Sequence, residues 1–288
     1  MAVSGVIVLN KILKTKSVRP MLLRFLFFAT LALFYPSPVT AQQEKALTNQ
    51  AGATDVGWVE LVGDGGAVGF KKIAQGVTQC GDVSLAGDSK LLTAIDGTGV
   101  LAALKKVKKS NVFSKQAFGD CEVQLEFLIG KGSNSGVKLQ GLYEVQLYDS
   151  HGKENPDGTD CGGIYPHWEF KTKFWRRKLT YTDKGYPPLV NAAKPAGQWQ
   201  TLKIIFKAPL FDDSGKKTSN ARLDLVELNG VAVQKDIELE SATGNIKPPR
   251  PEHAMAPMML QLDHGAIAFR NVRVRPMGKT AAGSSEKK

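Results

Sequence analysis

The sequence predicts an all-β protein, a β-sandwich or jelly roll, on three observations. From Gly57 onward apolar residues recur with period two in short segments, turn residues separate those segments, and helical spacing appears only once. Residues 42–56 are small and polar and read as a linker. Gly99 to Lys109, with Leu101, Leu104 and Val107 on one side, is the helical candidate, short enough to suit an insertion loop equally well. Cys121 to Ile129 sets Val123, Leu125 and Phe127 on one face against Glu122, Gln124 and Glu126 on the other. Val137 and Leu139 alternate with Lys138 and Gln140; after Gly141, Tyr143, Val145 and Leu147 alternate with Glu144 and Gln146. Residues 167–185 form an aromatic and basic insertion that includes Trp168, Phe174, Trp175, Arg176 and Arg177. Leu202, Ile204 and Phe206 repeat the strand pattern. Leu223 and Leu225 do so again before Asn229-Gly230 and Val231-Ala232-Val233, a hairpin signal because Asn and Gly tolerate positive φ. Met258 to Asp263 and Ile267 to Arg275 are the last strands, and no internal repeat is visible.

The 288 residues allow one large β domain or two small ones. Residues 1–41 read as an export signal: Lys11, Lys14, Lys16, Arg19 and Arg24 precede an apolar run from Phe25 to Tyr35, with no acidic residue before Glu44. Pro36 and Pro38 break the run, and Val39-Thr40-Ala41 offers a small-residue cleavage site. An uncleaved anchor is the competing reading and the sole route to a membrane; the run is short of the roughly 20 residues a span needs. The expected location is periplasmic or secreted. Removing five basic and no acidic residues lowers the formal charge from +11 to +6, which gives little support for nucleic-acid binding. Residues 278–288, mostly Lys, Ser, Gly and Ala, read as a disordered tail. Export permits one disulfide among Cys80, Cys121 and Cys161, without choosing the pair, and their spacing suits no metal.

The most informative stretch is Asn134-Ser135-Gly136-Val137 followed by Tyr143-Glu144-Val145-Gln146-Leu147-Tyr148-Asp149-Ser150. On a strand, Glu144 and Gln146 share one face about 7 Å apart. A carboxylate and an amide so placed suit sugar hydroxyls, which both donate and accept. Glu126, on the polar face of another strand, is a third candidate. The same alternation equally suits a solvated outer face with no function.

These residues resemble the 3-keto-disaccharide hydrolase domain family, whose pattern reads NSGVYL followed by RYEVQVLDS. Phe118-Gly119-Asp120-Cys121 resembles its FGDC, and Cys161-Gly162-Gly163-Ile164-Tyr165 its GAIYG. Pro187 to Ala192 resembles PPLVNAS, Gly197-Gln198-Trp199-Gln200 resembles GEWQ, and Asn229-Gly230-Val231 resembles NGV. Asp263-His264-Gly265 with Phe269-Arg270-Asn271 resembles LQDHG and FRN, and Trp58 to Leu61 matches the domain start. Residues 57–277 are covered. The resemblance implies a concanavalin A-like jelly roll that cleaves glycosides already oxidised to a ketone at the 3-position. A base takes the proton beside the ketone, the aglycone leaves, and water adds back; this needs a base, an acid and donors for the enolate.

Under that resemblance Glu144 or His264 is the base or acid and Glu126 the other carboxylate. Gln146, Asn134 and Lys138 are ligands to hydroxyls or enolate, with Asp149 and Asp263 as further substrate contacts. Glu126, Glu144 and His264 are expected in one concave cleft. A divalent metal could polarise the ketone through Glu, Asp or His, and no other cofactor is implied. By its position His264 suits a structural turn as well as a catalytic imidazole; the family motif favours catalysis. His151, His167 and His253 read as solvated loop residues, Arg270 as an anchor for a turn or carboxylate, and Trp199 as core. The 167–185 insertion either walls the cleft or forms a surface flap. This chain departs from the family at Leu142 for Arg, Leu262 for Gln (with Gln261 one position earlier, on the other side of a strand), Gln198 for Glu and Lys138 for Tyr. A lectin-like binding module, or a scaffold domain using the insertion, are the alternatives to an enzyme.

Overall fold

The computed structural model describes residues 57–87 and 89–277. The export segment (1–41), the linker (42–56) and the tail (278–288) lie outside the described residues. Among those described there is no helix, and so none long and apolar enough to cross a membrane. The strands are β1 (Val59–Val62), β2 (Thr78–Leu85), β3 (Leu92–Ala103), β4 (Val112–Phe118), β5 (Cys121–Ile129), β6 (Asn134–Leu139), β7 (Tyr143–Tyr148) and β8 (Trp168–Lys173). They continue as β9 (Arg176–Tyr181), β10 (Trp199–Lys207), β11 (Leu210–Phe211), β12 (Lys217–Ser219), β13 (Ala221–Leu228), β14 (Val231–Leu239), β15 (Ala256–Leu260) and β16 (Ile267–Pro276).

The larger antiparallel sheet runs β14-β13-β10-β5-β16-β3-β2, with β1 also paired to β16. The smaller runs β4-β15-β6-β7. β8–β9 and β11–β12 are separate two-stranded ribbons. Phe127 of β5, Phe206 of β10 and Phe269 of β16 meet Val137 and Leu139 of β6, Val145 and Leu147 of β7 and Leu260 of β15 in one buried core. Each such side chain contributes ~1.5–3 kcal/mol by leaving water. Two antiparallel sheets stacked across a shared apolar layer make a sandwich, consistent with a jelly roll.

The helical candidate Gly99–Lys109, read equally well as an insertion loop, forms no helix. Gly99 to Ala103 is the second half of β3, and turns follow. Leu101 and Ala103 enter the main core, whereas Val100 and Ala102 enter a second, smaller core that includes Leu128 and Ala268. Both faces of the strand are therefore apolar, which erases the period of two and leaves a run that mimics a helix.

β16, last in sequence, lies between β5 and β3 in the middle of its sheet. Its register shifts between Arg270 and Arg273, where Asn271 takes a positive φ of 50°. Asn tolerates that conformation better than most residues. The bulge lets the first half of β16 pair with β3 and the second with β1. Cys80, Cys121 and Cys161 are free and buried, so the structure contains none of the disulfides that export would permit.

Candidate functional site

The residues of interest lie on the outer face of the smaller sheet, away from the core. β6 and β7 form a tight hairpin through Gln140 and Gly141, both at positive φ. Val137, Leu139, Val145 and Leu147 point into the core, so Asn134, Gly136 and Lys138 on β6 and Glu144 and Gln146 on β7 point out. The register sets Lys138 opposite Glu144 and Gly136 opposite Gln146. The Lys138 ammonium meets the Glu144 carboxylate at 2.7 Å. This is not a solvated face: Glu144 is 3% exposed and Gln146 0%.

Each residue of the Asn134-Ser135-Gly136 motif has a separate task. Asn134 bridges to His264 through the backbone and accepts from Gln146 Nε2 at 3.4 Å. Ser135 Oγ donates to the Gln261 carbonyl at 2.6 Å, fixing the segment that carries His264. Gly136 leaves room for Glu144, because a Cβ there would lie 2.5 Å from Glu144 Oε1. Gln146 Oε1 is buried without a hydrogen-bond partner, as is Gln261 Oε1. Both are unmet acceptors closed off from solvent, so a ligand's hydroxyl meets them only once a covering side chain moves.

His264 Nδ1 lies 2.6 Å from Asp263 Oδ1. Burial pushes the Asp263 carboxyl up, but the His264 bond and the charge of Lys138 prevail and hold it below its ordinary value. An ionised carboxylate can only accept, so Nδ1 carries a proton, and in the neutral imidazole Nε2 of the half-exposed ring presents a lone pair. Asn111 Nδ2 donates to the other Asp263 oxygen at 3.3 Å, and Asn111 Oδ1 accepts from Leu262 N–H at 3.0 Å. Gln261 points outward with its amide 3.3 Å from His264 Nδ1, while Leu262 fills the core. An amide therefore reaches the site despite the leucine at 262.

Two features escaped the sequence. Beyond β7, Gly162 to Tyr165 adds to the sheet edge, with Tyr165 N–H donating to the Glu144 carbonyl at 3.2 Å. Burial first, then Tyr181 and Glu144, push the Tyr165 phenol upward. Next to it is a cleft of about 360 Å³ lined by Tyr165, His167, Asp183 and Ser241. His167 is no free loop histidine: Nδ1 donates to Asp183 Oδ2 at 2.5 Å, and Nε2 accepts from Ser241 Oγ at 3.0 Å. The aromatic insertion is the β8–β9 ribbon, whose Tyr181 hydroxyl bonds Tyr165 at 3.1 Å.

Glu126 does not join Glu144 and His264. Its neighbours Leu125 and Phe127 enter the core from the larger sheet, so its carboxylate faces the opposite side of the sandwich. There it is bonded by Arg270 Nε and Nη2 at 2.9 and 2.7 Å and by Asn271 Nδ2 at 2.7 Å. The Arg270 guanidinium lies 4.0 Å over Trp199, a residue half in the smaller core. Asp149 lies at the far end of β7, where its carboxylate accepts from Gly132 N–H at 2.9 Å. Among the described residues no three His, Cys, Asp or Glu side chains gather to hold a metal ion. Asp263 and His264 are bonded to one another.

Fold and site together define a carbohydrate-active β-sandwich, with a buried polar patch on β6 and β7 of one sheet face and a cleft beyond the β7 edge. The chain belongs to the 3-keto-alpha-glucoside-1,2-lyase-like domain family, whose model matches residues 47–275. Similar solved structures include two from Parabacteroides distasonis, each named "putative glycosyl hydrolase". One is 24% identical over 76% of this chain and 84% of its own, with a TM-score of 0.51, and shares the fold. The other is 15% identical over 83% and 99%, with a TM-score of 0.46. No curated protein matches the chain.

Proposed function

We propose that the protein cleaves 3-keto-glycosides on the outer face of the smaller sheet. The observation that carries this reading is the Asp263–His264 pair placed within electrostatic reach of Lys138, itself paired to Glu144. His264 Nε2 takes the proton from the carbon beside the ketone. The electron pair moves to the ketone oxygen, where the Lys138 ammonium stabilises the enolate. The enolate then expels the glycosidic oxygen, which recovers its proton from His264, and water adds to the resulting double bond. Glu144 positions Lys138, and Gln146 orients Asn134, which accepts from a sugar hydroxyl. The basic and apolar segments before Ala41 support a periplasmic or secreted setting.

The test is incubation with 3-keto-trehalose in heavy water. Wild-type protein should release glucose and incorporate deuterium beside the ketone, and His264→Gln should do neither. Equal turnover by His264→Gln would remove that residue from the mechanism. Binding without exchange in the wild type would leave a lectin-like module.

A further inference from the structure

At the β4 end of the same face lies a second recess, about 460 Å³, lined by Lys71, Lys72, Lys109, Asn111 and Phe113, with no acidic side chain in its wall. The three lysines are exposed, and none forms an ion pair among the described residues. Lys105, Lys106, Lys108 and Lys115 extend the same charge on adjoining segments, again without a carboxylate partner among the described residues. Lys109 also holds a positive φ of 59°, a conformation costly for a side chain of that size. Like charges crowded around a concavity destabilise the free protein and focus a positive potential into it.

The recess is continuous with the site. Asn111 in its wall bonds Asp263. Phe113 pairs with Met259, Met259 with Lys138, and Lys138 with Glu144, so one row of residues crosses the sheet from the recess to the Glu144 carboxylate. The cleft at the opposite end has Asp183, Glu238 and Glu240 in its wall. The walls of the two recesses therefore carry opposite charge.

We propose that the lysine recess is a subsite for an acidic sugar, one bearing a carboxylate or a sulfate ester, and that the charge difference between the two ends sets the direction in which an oligosaccharide lies across the face. This deepens the reading of the face as a saccharide site and rests on it. The test is calorimetric titration at 0.15 M NaCl with oligogalacturonate, a sulfated cello-oligosaccharide and the unmodified cello-oligosaccharide of equal length. At least one acidic ligand should bind about tenfold tighter than the neutral one, as expected of three exposed charge contacts; which of the two does so identifies the group recognised. Lys71→Ala combined with Lys72→Ala, and separately Lys109→Asn, should shrink that preference at a melting temperature no lower than the wild type's, whereas the remote Lys235→Ala should retain it. Equal affinity for acidic and neutral ligands, or equal loss in Lys235→Ala, overturns the proposal. His264→Gln should keep the preference while losing turnover, so failure of the subsite and failure of the proposed reaction are separate results.

Discussion

Lys138 and Glu144 face each other across the β6–β7 ladder, their charged groups 2.7 Å apart and their side chains 15% and 4% exposed. Removing one member of so enclosed a pair strands the other charge. Lys138→Met should therefore lower stability by roughly 3 kcal/mol, and adding Glu144→Gln should restore most of it. Urea unfolding of the two variants checks the difference.

Gly136→Ala tests the position of the Glu144 carboxylate. The new methyl needs the space of Glu144 Oε1, and the carboxylate can yield only by shifting Lys138. Turnover of a 3-keto-glycoside should fall about 100-fold, the order expected of a 1 Å misplacement, with KM changing much less than kcat.

Asp263 gives a pH dependence with a definite sign. Its folded pKa is depressed by His264 and Lys138 against the opposing effect of burial. The stabilisation is thus fully present above its unfolded value of about 3.9 and is lost as pH falls through the lower, folded value. Asp263→Asn should remove that part of the acid limb in melting curves below about pH 4. It should also slow turnover at neutral pH, because Nδ1–H loses the acceptor that sets the tautomer.

Burial pushes the thiols of Cys121 and Cys161 up to about 12. A thiol reagent at pH 8 should leave both unlabelled in the native protein and label three cysteines once it is unfolded. Reductant should not change the melting temperature.

Glu126→Gln should lower stability by only about 1 kcal/mol, since the Arg270 pair is partly solvated. Turnover should match the wild type. A loss as large as that of His264→Gln would bring the larger sheet into the mechanism.

The strands that could be read from sequence are those with unlike faces. In β6 and β7 the alternation exposed Lys138, Glu144 and Gln146 as one outward set because Val137, Val145 and Leu147 are core. β3 defeated the same rule because Leu101 and Val100 are buried in different cores. Period two also states which side of its own strand a residue occupies, but not which side of the sandwich that is. Hence Glu126 looked equivalent to Glu144 although Arg270 and Asn271 hold it on the opposite surface. The His167–Asp183–Ser241 chain was beyond reach because its links join positions 16 and 74 residues apart, and no local spacing encodes such contacts.

The central place of β16 has a consequence for the order of assembly. With this strand missing, β5 and β3 have no common neighbour and β1 has no partner in the larger sheet. A chain emerging from its amino end thus holds two incomplete half-sheets with open edges until residues 267–276 arrive to join them. Closure is a single late event that depends on contacts far apart in sequence, which makes folding slow.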